Sequence, residues 1–231
     1  MRDRICIILL NSNEKANTLN RLESLYKIDY KLFVPLVVDQ GSTDGSVKAI
    51  RASYPLVPIF ENRENLGVAG GHNVAMEWAV KKPFKWILLP DLFLTPNCLS
   101  NFIEKTKAYP DVKIFDDEGF FIHRSVIETI GLFDPRFFLY YDKTDYYFRA
   151  RRRGFAVQIK NKEIFSCKTP QDHYFWWRSQ LLWMERNLPL HERSGIWGLL
   201  RNLERGHIRA SLLGVLHYYL GKFGDCPNWI F

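Results

Sequence analysis

Cysteine is scarce and not arranged for pairing: Cys6, Cys98, Cys167 and Cys226 are scattered over 231 residues with no CxxC pair, a pattern expected of a protein kept in a reducing compartment. No apolar run reaches the roughly 18–20 residues that a membrane-spanning helix needs, which excludes an integral membrane protein. The start, MRDRICIILLNSNE, offers only about six apolar residues before polar ones, too few for a secretory leader. GxGxxG and GK[ST] are both missing, so P-loop ATP chemistry has no motif behind it. Internal repeats and low-complexity linkers are absent as well.

What is present is ordinary for a globular α/β protein, with 47% hydrophobic and 25% charged residues, although 15% aromatic content and seven tryptophans are high. A chain of this length buries about 70–75% of its unfolded surface, so it packs a core without staples and is not intrinsically disordered. The net charge of +7, from 32 Lys and Arg against 25 Asp and Glu, suits an anionic partner: nucleotide, nucleic acid or acidic lipid headgroup. Near the end, Ala210 to Leu220 (ASLLGVLHYYL) is flanked by Arg201, Arg205, Arg209 and Lys222. Two placements fit a short apolar helix with cationic shoulders: packed on the core, or lying at a membrane surface.

Short apolar runs alternate with amphipathic segments through the first half, which predicts a parallel, doubly wound sheet. Strands are expected at Ile5 to Leu10, Val34 to Val38, Pro58 to Phe60 and Trp86 to Leu89. Between them, Leu19, Leu22 and Leu25 mark one face of a helix, Ser42-Thr43-Asp44 offers a cap for a helix reaching Ser53, and Ala69-Gly70-Gly71 opens a helix through Val80. Pro96 suits the first turn of a helix running to about Lys107. Beyond Pro110 the expected order is a strand at Gly119 to His123, a short helix at Arg124 to Ile130, an aromatic segment to Tyr141, a helix at Asp142 to Arg153 stopped by Gly154, and a strand at Phe155 to Ile159. Residues 172–231 read as a mostly helical extension of a domain at 1–171.

In open parallel sheets ligands bind at the carboxyl ends of the strands, near the switch in strand order. The residues expected there are Asn11 and Asn13 after the first strand, Asp39 after the second, Asn65 to Asn73 after the third, with Gly71 and Asn73 in its glycine-rich stretch, and Asp91 after the fourth. Asp39 precedes QGSTDG, where a carboxylate can accept from a ribose or base while Gly41 and Gly45 let the backbone come close; an Asp before a turn is equally a cap. A helix entry such as GVAGGHN favours phosphate, and Asp91 can ligate a metal that holds a diphosphate. The densest cluster is Tyr140-Tyr141-Asp142-Lys143-Thr144-Asp145. Asp142 and Asp145 share a helix face and can act as base and orienter, or simply suit the helix dipole.

In order along the chain, IILLNSNEKANTLNRLESL, VVDQGSTDGS, ENLGVAGGHNVAMEWA, LLPDLFLTP, IGLFDPRFFLYYDKTDYYFRARRRG and YFWWRSQLLWMERN resemble the motifs of glycosyltransferase family 2, especially its rhamnosyltransferase-like branch. The resemblance implies a GT-A fold, a Rossmann-like, mainly parallel sheet flanked by helices with a helical C-terminal extension. It further implies transfer of a sugar from a dTDP- or UDP-linked donor to a hydroxyl of a glycan or lipid-linked glycan by a single inverting displacement. Asp39, with Asn11, Asn13, Gly71 and Asn73, would hold the nucleotide. A divalent metal, Mn2+ or Mg2+, would bridge Asp91 and the diphosphate. The setting implied is cytoplasmic, free or at the inner face of the membrane, in assembly of a surface polysaccharide; nucleic acid is not an expected partner.

The chain departs from the family pattern in three places. Lys143 stands where the family's base stands, so Asp142 or Asp145 replaces it, or burial deprotonates Lys143, or the chain binds nucleotide sugar or glycan without catalysing transfer. Cys167 stands near the position of a metal-binding His, with His173 six residues later as an alternative ligand or a core histidine. Only some 36 residues separate Pro96 from Phe133, a short acceptor-side insertion. Trp176, Trp177 and Trp183 fit either sugar stacking or a packed helix face.

Overall fold

The computed structural model describes residues 3–90, 93–160, 168–189 and 207–227, and the chain groups into two units. The first comprises Met1–Asn65, Gly71–Leu132 and Arg149–Lys162, and the second comprises Leu66–Gly70, Phe133–Phe148 and Glu163–Phe231.

The first unit is built on a seven-stranded sheet in the order β3-β2-β1-β4-β6-β5-β7. Its strands are β1 (Ile5–Asn11), β2 (Phe33–Asp39), β3 (Ile59–Glu61), β4 (Trp86–Leu89), β5 (Val112–Asp116), β6 (Phe120–His123) and β7 (Ala156–Ile159). The β1–β2, β1–β4, β2–β3 and β5–β7 pairs are parallel, whereas β6 runs antiparallel to both β4 and β5. This is the mainly parallel α/β sheet expected. Ile5 through Leu9 of β1 and all of β4 are buried, as the unbroken apolar runs require of strands covered on both faces.

Helices α1 (Lys15–Tyr26), α2 (Ser46–Ser53), α3 (Gly67–Val80), α4 (Cys98–Ala108) and α5 (Arg124–Ile130) follow their strands. On α1, Leu22 and Leu25 join the core with Ile5, Ile7, Leu9 and Val37 while Leu19 packs at its margin. Phe102 of α4 stacks on Phe121 at 3.7 Å and meets Trp86 edge-on at 4.9 Å, which fixes that helix over the middle of the sheet.

Three expectations shift. Pro96 lies outside α4, whose N-cap is Asn97; its carbonyl instead accepts the Asp29 N–H at 2.9 Å. Helix α2 starts after Gly45, held at φ 79°, and the Asp44 carboxylate accepts the Ser46 N–H at 3.0 Å, so the acid serves the first turn from outside the cap position. Strand β5, which the sequence reading passed over, pairs with β6 and β7.

The second unit holds α7 (Pro170–Asn187), α8 (Ile208–Tyr219) and the start of α6 (Asp142–Arg152). Thr169 and Asp172 form a reciprocal capping box at the head of α7, with Pro170 in its first turn. Phe138, Tyr174, Phe175, Ala210 and Cys226 make a separate small core. Arg178 is fully buried in it. Its Nη1 donates to the Tyr174 hydroxyl, Lys222 O and Gly224 O at 3.0, 3.3 and 2.7 Å, and its guanidinium lies over the Tyr174 and Phe175 rings. Among the described residues no helix is long and apolar enough to cross a membrane.

Candidate active site

The sheet order reverses beside β1, with β2 on one side and β4 on the other, so the ligand crevice of this fold class opens at the carboxyl ends of β1 and β4. Register places Asn11 directly beside Asp39. Asn11 Nδ2 donates to Asp39 Oδ1 at 2.6 Å and to Ser42 Oγ at 2.9 Å, and its Oδ1 accepts from Thr18 Oγ1 at 2.6 Å. The second Asp39 oxygen accepts the Ser42 N–H at 2.9 Å. Asn13, at φ 54°, donates its N–H to Ser42 Oγ at 2.9 Å and accepts the Thr43 N–H at 2.8 Å. Residues some 30 positions apart are thus tied into one polar turn.

Gly71 comes close to that turn from α3. A Cβ there would sit 2.1 Å from Gln40 Nε2 and 3.0 Å from Leu10 Cδ2, and Gln40 Oε1 is itself held by Asn62 Nδ2 at 2.9 Å. Gly41 has φ +73°, and a Cβ on it would meet the Arg63 carbonyl at 3.1 Å. Asn73 is half-buried a short way into α3. At the end of β4, Arg21 Nη2 donates to Pro90 O at 2.6 Å, fixing the strand end just before Asp91. Asp91 itself lies outside the described residues, as does Cys167.

The second cluster sits at the start of α6. Asp142, Lys143 and Asp145 are all buried. Asp145 lies 3.6 Å from Arg186 Nε and 3.4 Å from Asn187 Nδ2, both at the end of α7. Arg186 also pairs with Asp134, which takes three contacts of 2.7–3.1 Å from the Arg136 guanidinium. Partial burial holds the Arg186 pKa below the usual arginine range.

The two residues leading into α6, Tyr140 and Tyr141, have φ of 66° and 63°. Such a pair is strained for residues with a Cβ and persists only where surroundings fix it. Here α7 supplies the constraint: Ser179 Oγ donates to Leu139 O at 2.8 Å, the Tyr140 hydroxyl donates to Asp172 Oδ1 at 2.6 Å, and the Tyr141 ring lies 6.2 Å from both Trp176 and Trp183. Trp177, by contrast, is core.

Arg149 donates to Ile130 O and Leu132 O at 3.0 and 2.9 Å, closing off the segment after α5, while Arg151–Arg153 are exposed. His173 is buried in α7 with its ring 4.6 Å from that of His207. Among the described residues no three of His, Cys, Asp and Glu converge on a metal position. Burial pushes the thiols of Cys6 and Cys98 up to about 12, which keeps both protonated near neutral pH.

Sequence reasoning placed Ser42 only as a helix-cap candidate and missed that it is the hub of the polar turn. It also missed Asp134 and Arg186, for which spacing gave no signal.

The family described as Glycosyl transferase family 2 matches residues 6–158, and the chain belongs to that family. No curated relative matches it. Solved structures share its GT-A fold. The mannosyltransferase PcManGT from Pyrobaculum calidifontis, in complex with GDP-Man and Mn2+, aligns at TM-score 0.66 and 16% identity over 96% of this chain and 71% of that one. TarS 1–349 from S. aureus with UDP-GlcNAc aligns at 0.59 and 11%, over 98% and 82%. Glucosyl-3-phosphoglycerate synthase from Mycobacterium tuberculosis, with Mn2+, UDP and glucosyl-3-phosphoglycerate, aligns at 0.61 and 11%, over 80% of each chain.

Proposed function

We propose that this protein transfers a sugar from a nucleoside diphosphate donor to a hydroxyl of a glycan or lipid-linked glycan, in the manner of the rhamnosyltransferase-like branch of its family. The observation that carries the proposal is the preformed Asn11–Asp39–Ser42 turn at the carboxyl ends of parallel strands. Asp39 spends one hydrogen bond on each oxygen inside the turn, and a carboxylate has roughly four acceptor positions, so it can order the turn and still accept from a ribose. Gly71 and Gly41 let the Gln40 side chain and the Arg63 backbone pack directly against the turn and hold it in shape. Solved members of the fold carry guanine and uracil nucleotides, and dTDP- or UDP-sugar is the donor class proposed here.

The transfer is a single displacement. The acceptor oxygen bonds to the anomeric carbon as the bond to the diphosphate oxygen breaks, the diphosphate leaves with the electron pair, and the acceptor proton passes to a carboxylate. We assign that base to Asp142. Asp145, three residues on, faces Arg186 and Asn187, which suits a positioning residue, and a protonated Lys143 cannot accept a proton. Lys143 then serves as a fixed cation beside the base. The metal part of the proposal rests on Asp91 alone, where a divalent cation would neutralise charge on the leaving diphosphate; the described residues do not complete its ligand set, and no step is routed through it. Residues 172–231 complete the proposal as a helical extension of the catalytic domain.

Titration calorimetry with UDP, dTDP and GDP, each with and without manganese, tests the donor. Micromolar binding of one nucleotide supports the transferase, and metal dependence that vanishes in Asp91→Ala supports the cation. Lys143 at the base position favours a second reading, a nucleotide-sugar or glycan binder without turnover. Tight donor binding with no transfer or donor hydrolysis would select it, and no binding of any nucleotide by folded protein would remove the transferase and leave only the glycan binder.

A further inference from the structure

Helix α8 buries small side chains, with Leu213 packed partly against the small core, and leaves a row of large apolar ones outward. The buried positions are Ala210, Ser211 and Gly214. A Cβ on Gly214 would come within 2.3 Å of the Tyr174 carbonyl oxygen, so α8 rests on the backbone of α7. The contact is pinned by the Tyr174 hydroxyl at 2.8 Å from His217 Nδ1 and by Arg178 holding the carbonyls of Lys222 and Gly224.

On the other side, Ile208 is 37% exposed, Leu212 48%, Leu216 51%, Tyr219 65% and Leu220 56%. The spacing i, i+4, i+8, i+11 and i+12 puts them on one stripe about 18 Å long. Four of the ten exposed large apolar side chains among the described residues fall in α8, and a fifth, Leu220, is its C-cap. A contiguous exposed apolar patch marks an interaction surface where isolated ones do not.

The charge around the stripe selects its occupant. Around the stripe the sequence carries Arg201, Arg205, Arg209 and Lys222 against Glu204 and Asp225, and Arg209 is exposed between the apolar positions. Apolar side chains framed by cations complement an anionic bilayer, where the stripe enters the acyl boundary, long cationic side chains reach headgroups, and a tyrosine suits the interface. Two copies pairing through the same face would set an excess of like charges together. We infer that the outward face of α8 docks this protein on an anionic lipid surface. The inference stands on α8 alone and does not depend on the transferase assignment.

The full chain would be sedimented with vesicles of phosphatidylcholine, and of phosphatidylcholine mixed with phosphatidylglycerol. Binding is expected to the mixed vesicles, at least about tenfold weaker without phosphatidylglycerol, and falling as salt rises. Leu212→Glu with Leu216→Glu should lower it by about tenfold or more while the melting curve is kept. Should that variant misfold, Arg209→Glu with Lys222→Glu replaces it and is expected to abolish the phosphatidylglycerol dependence. Failure to sediment with anionic vesicles, or equal binding by wild type and folded variants, overturns the inference. So does light scattering that shows a dimer converted to monomer by the leucine substitutions with no vesicle binding in either form. Nucleotide calorimetry on the same samples separates the two proposals, because vesicle binding without nucleotide binding removes only the transferase.

Discussion

The polar turn at the ends of β1 and β2 and the cluster at the start of α6 are organised by opposite means. In the first, short neutral side chains and one carboxylate are locked by hydrogen bonds of 2.6–2.9 Å whose geometry follows from strand register. In the second, a buried carboxylate is held by one arginine from a distant helix, and the backbone that presents it is strained. A sheet end sets positions through its backbone, so little side-chain charge is needed to hold a ligand-shaped turn. A helix start that must present carboxylates has no such template and takes its order from packing against α7.

The largest test of this contrast is Asp142→Asn. With Asp142 as the base, transfer should fall by about 10²–10⁴-fold while nucleotide affinity is unchanged, as measured by paired turnover and calorimetry; wild-type turnover would remove the base assignment. Next is Asn11→Ala. It strips partners from Asp39, Ser42 and Thr18 at a buried position, and should cost about 2–3 kcal/mol in urea unfolding and weaken nucleotide binding. A stability loss without any effect on the nucleotide would make the turn structural only.

Arg186→Met is expected to be comparable or slightly smaller, about 2 kcal/mol, because it leaves buried Asp145 and Asp134 without that cation although Arg186 is itself partly exposed. Nucleotide affinity should stay unchanged, and a parallel loss there would break the separation between the two regions. The smallest effect concerns His123, the N-cap of α5, whose Nδ1 accepts the Ser125 N–H at 3.2 Å. Burial, then the neighbouring Lys113 and Lys85, push its pKa down to about 4. The unfolded chain binds its proton near pH 6.5 and the folded chain only near 4, so stability is full above 6.5 and declines as pH falls through that window. Half-exposure cuts the effect to about 1–2 kcal/mol, read as a drop in melting temperature that His123→Asn should flatten.

Legibility in the sequence followed the same divide. Strands β1, β2 and β4 and the polar residues after them could be placed because an apolar run ending in Asn, Asp or Pro is a local signal, and the topology then gathers those ends. The glycines were legible for the same reason, since φ of +73° at Gly41 is a property of the turn itself. Strand β5 escaped because Val112–Asp116 alternates weakly and only Ile114 to Asp116 is buried, so its identity comes from β6 and β7 on either side. The start of α4 slipped by two residues because a proline outside the cap reads like one in the first turn. In α6 the acids were visible, but the partner of Asp145 was not: Arg186 lies 41 positions beyond it, and no periodicity links them.

The cross-linked turn has a thermodynamic consequence for recognition. Asn11, Asp39, Ser42 and Asn13 already constrain one another in the folded chain, so the loss of loop freedom that often accompanies ligand capture is incurred during folding. Association of the proposed nucleotide donor should therefore carry only a small conformational-entropy penalty at this end of the sheet, and its rate should be governed by encounter and desolvation instead of loop closure.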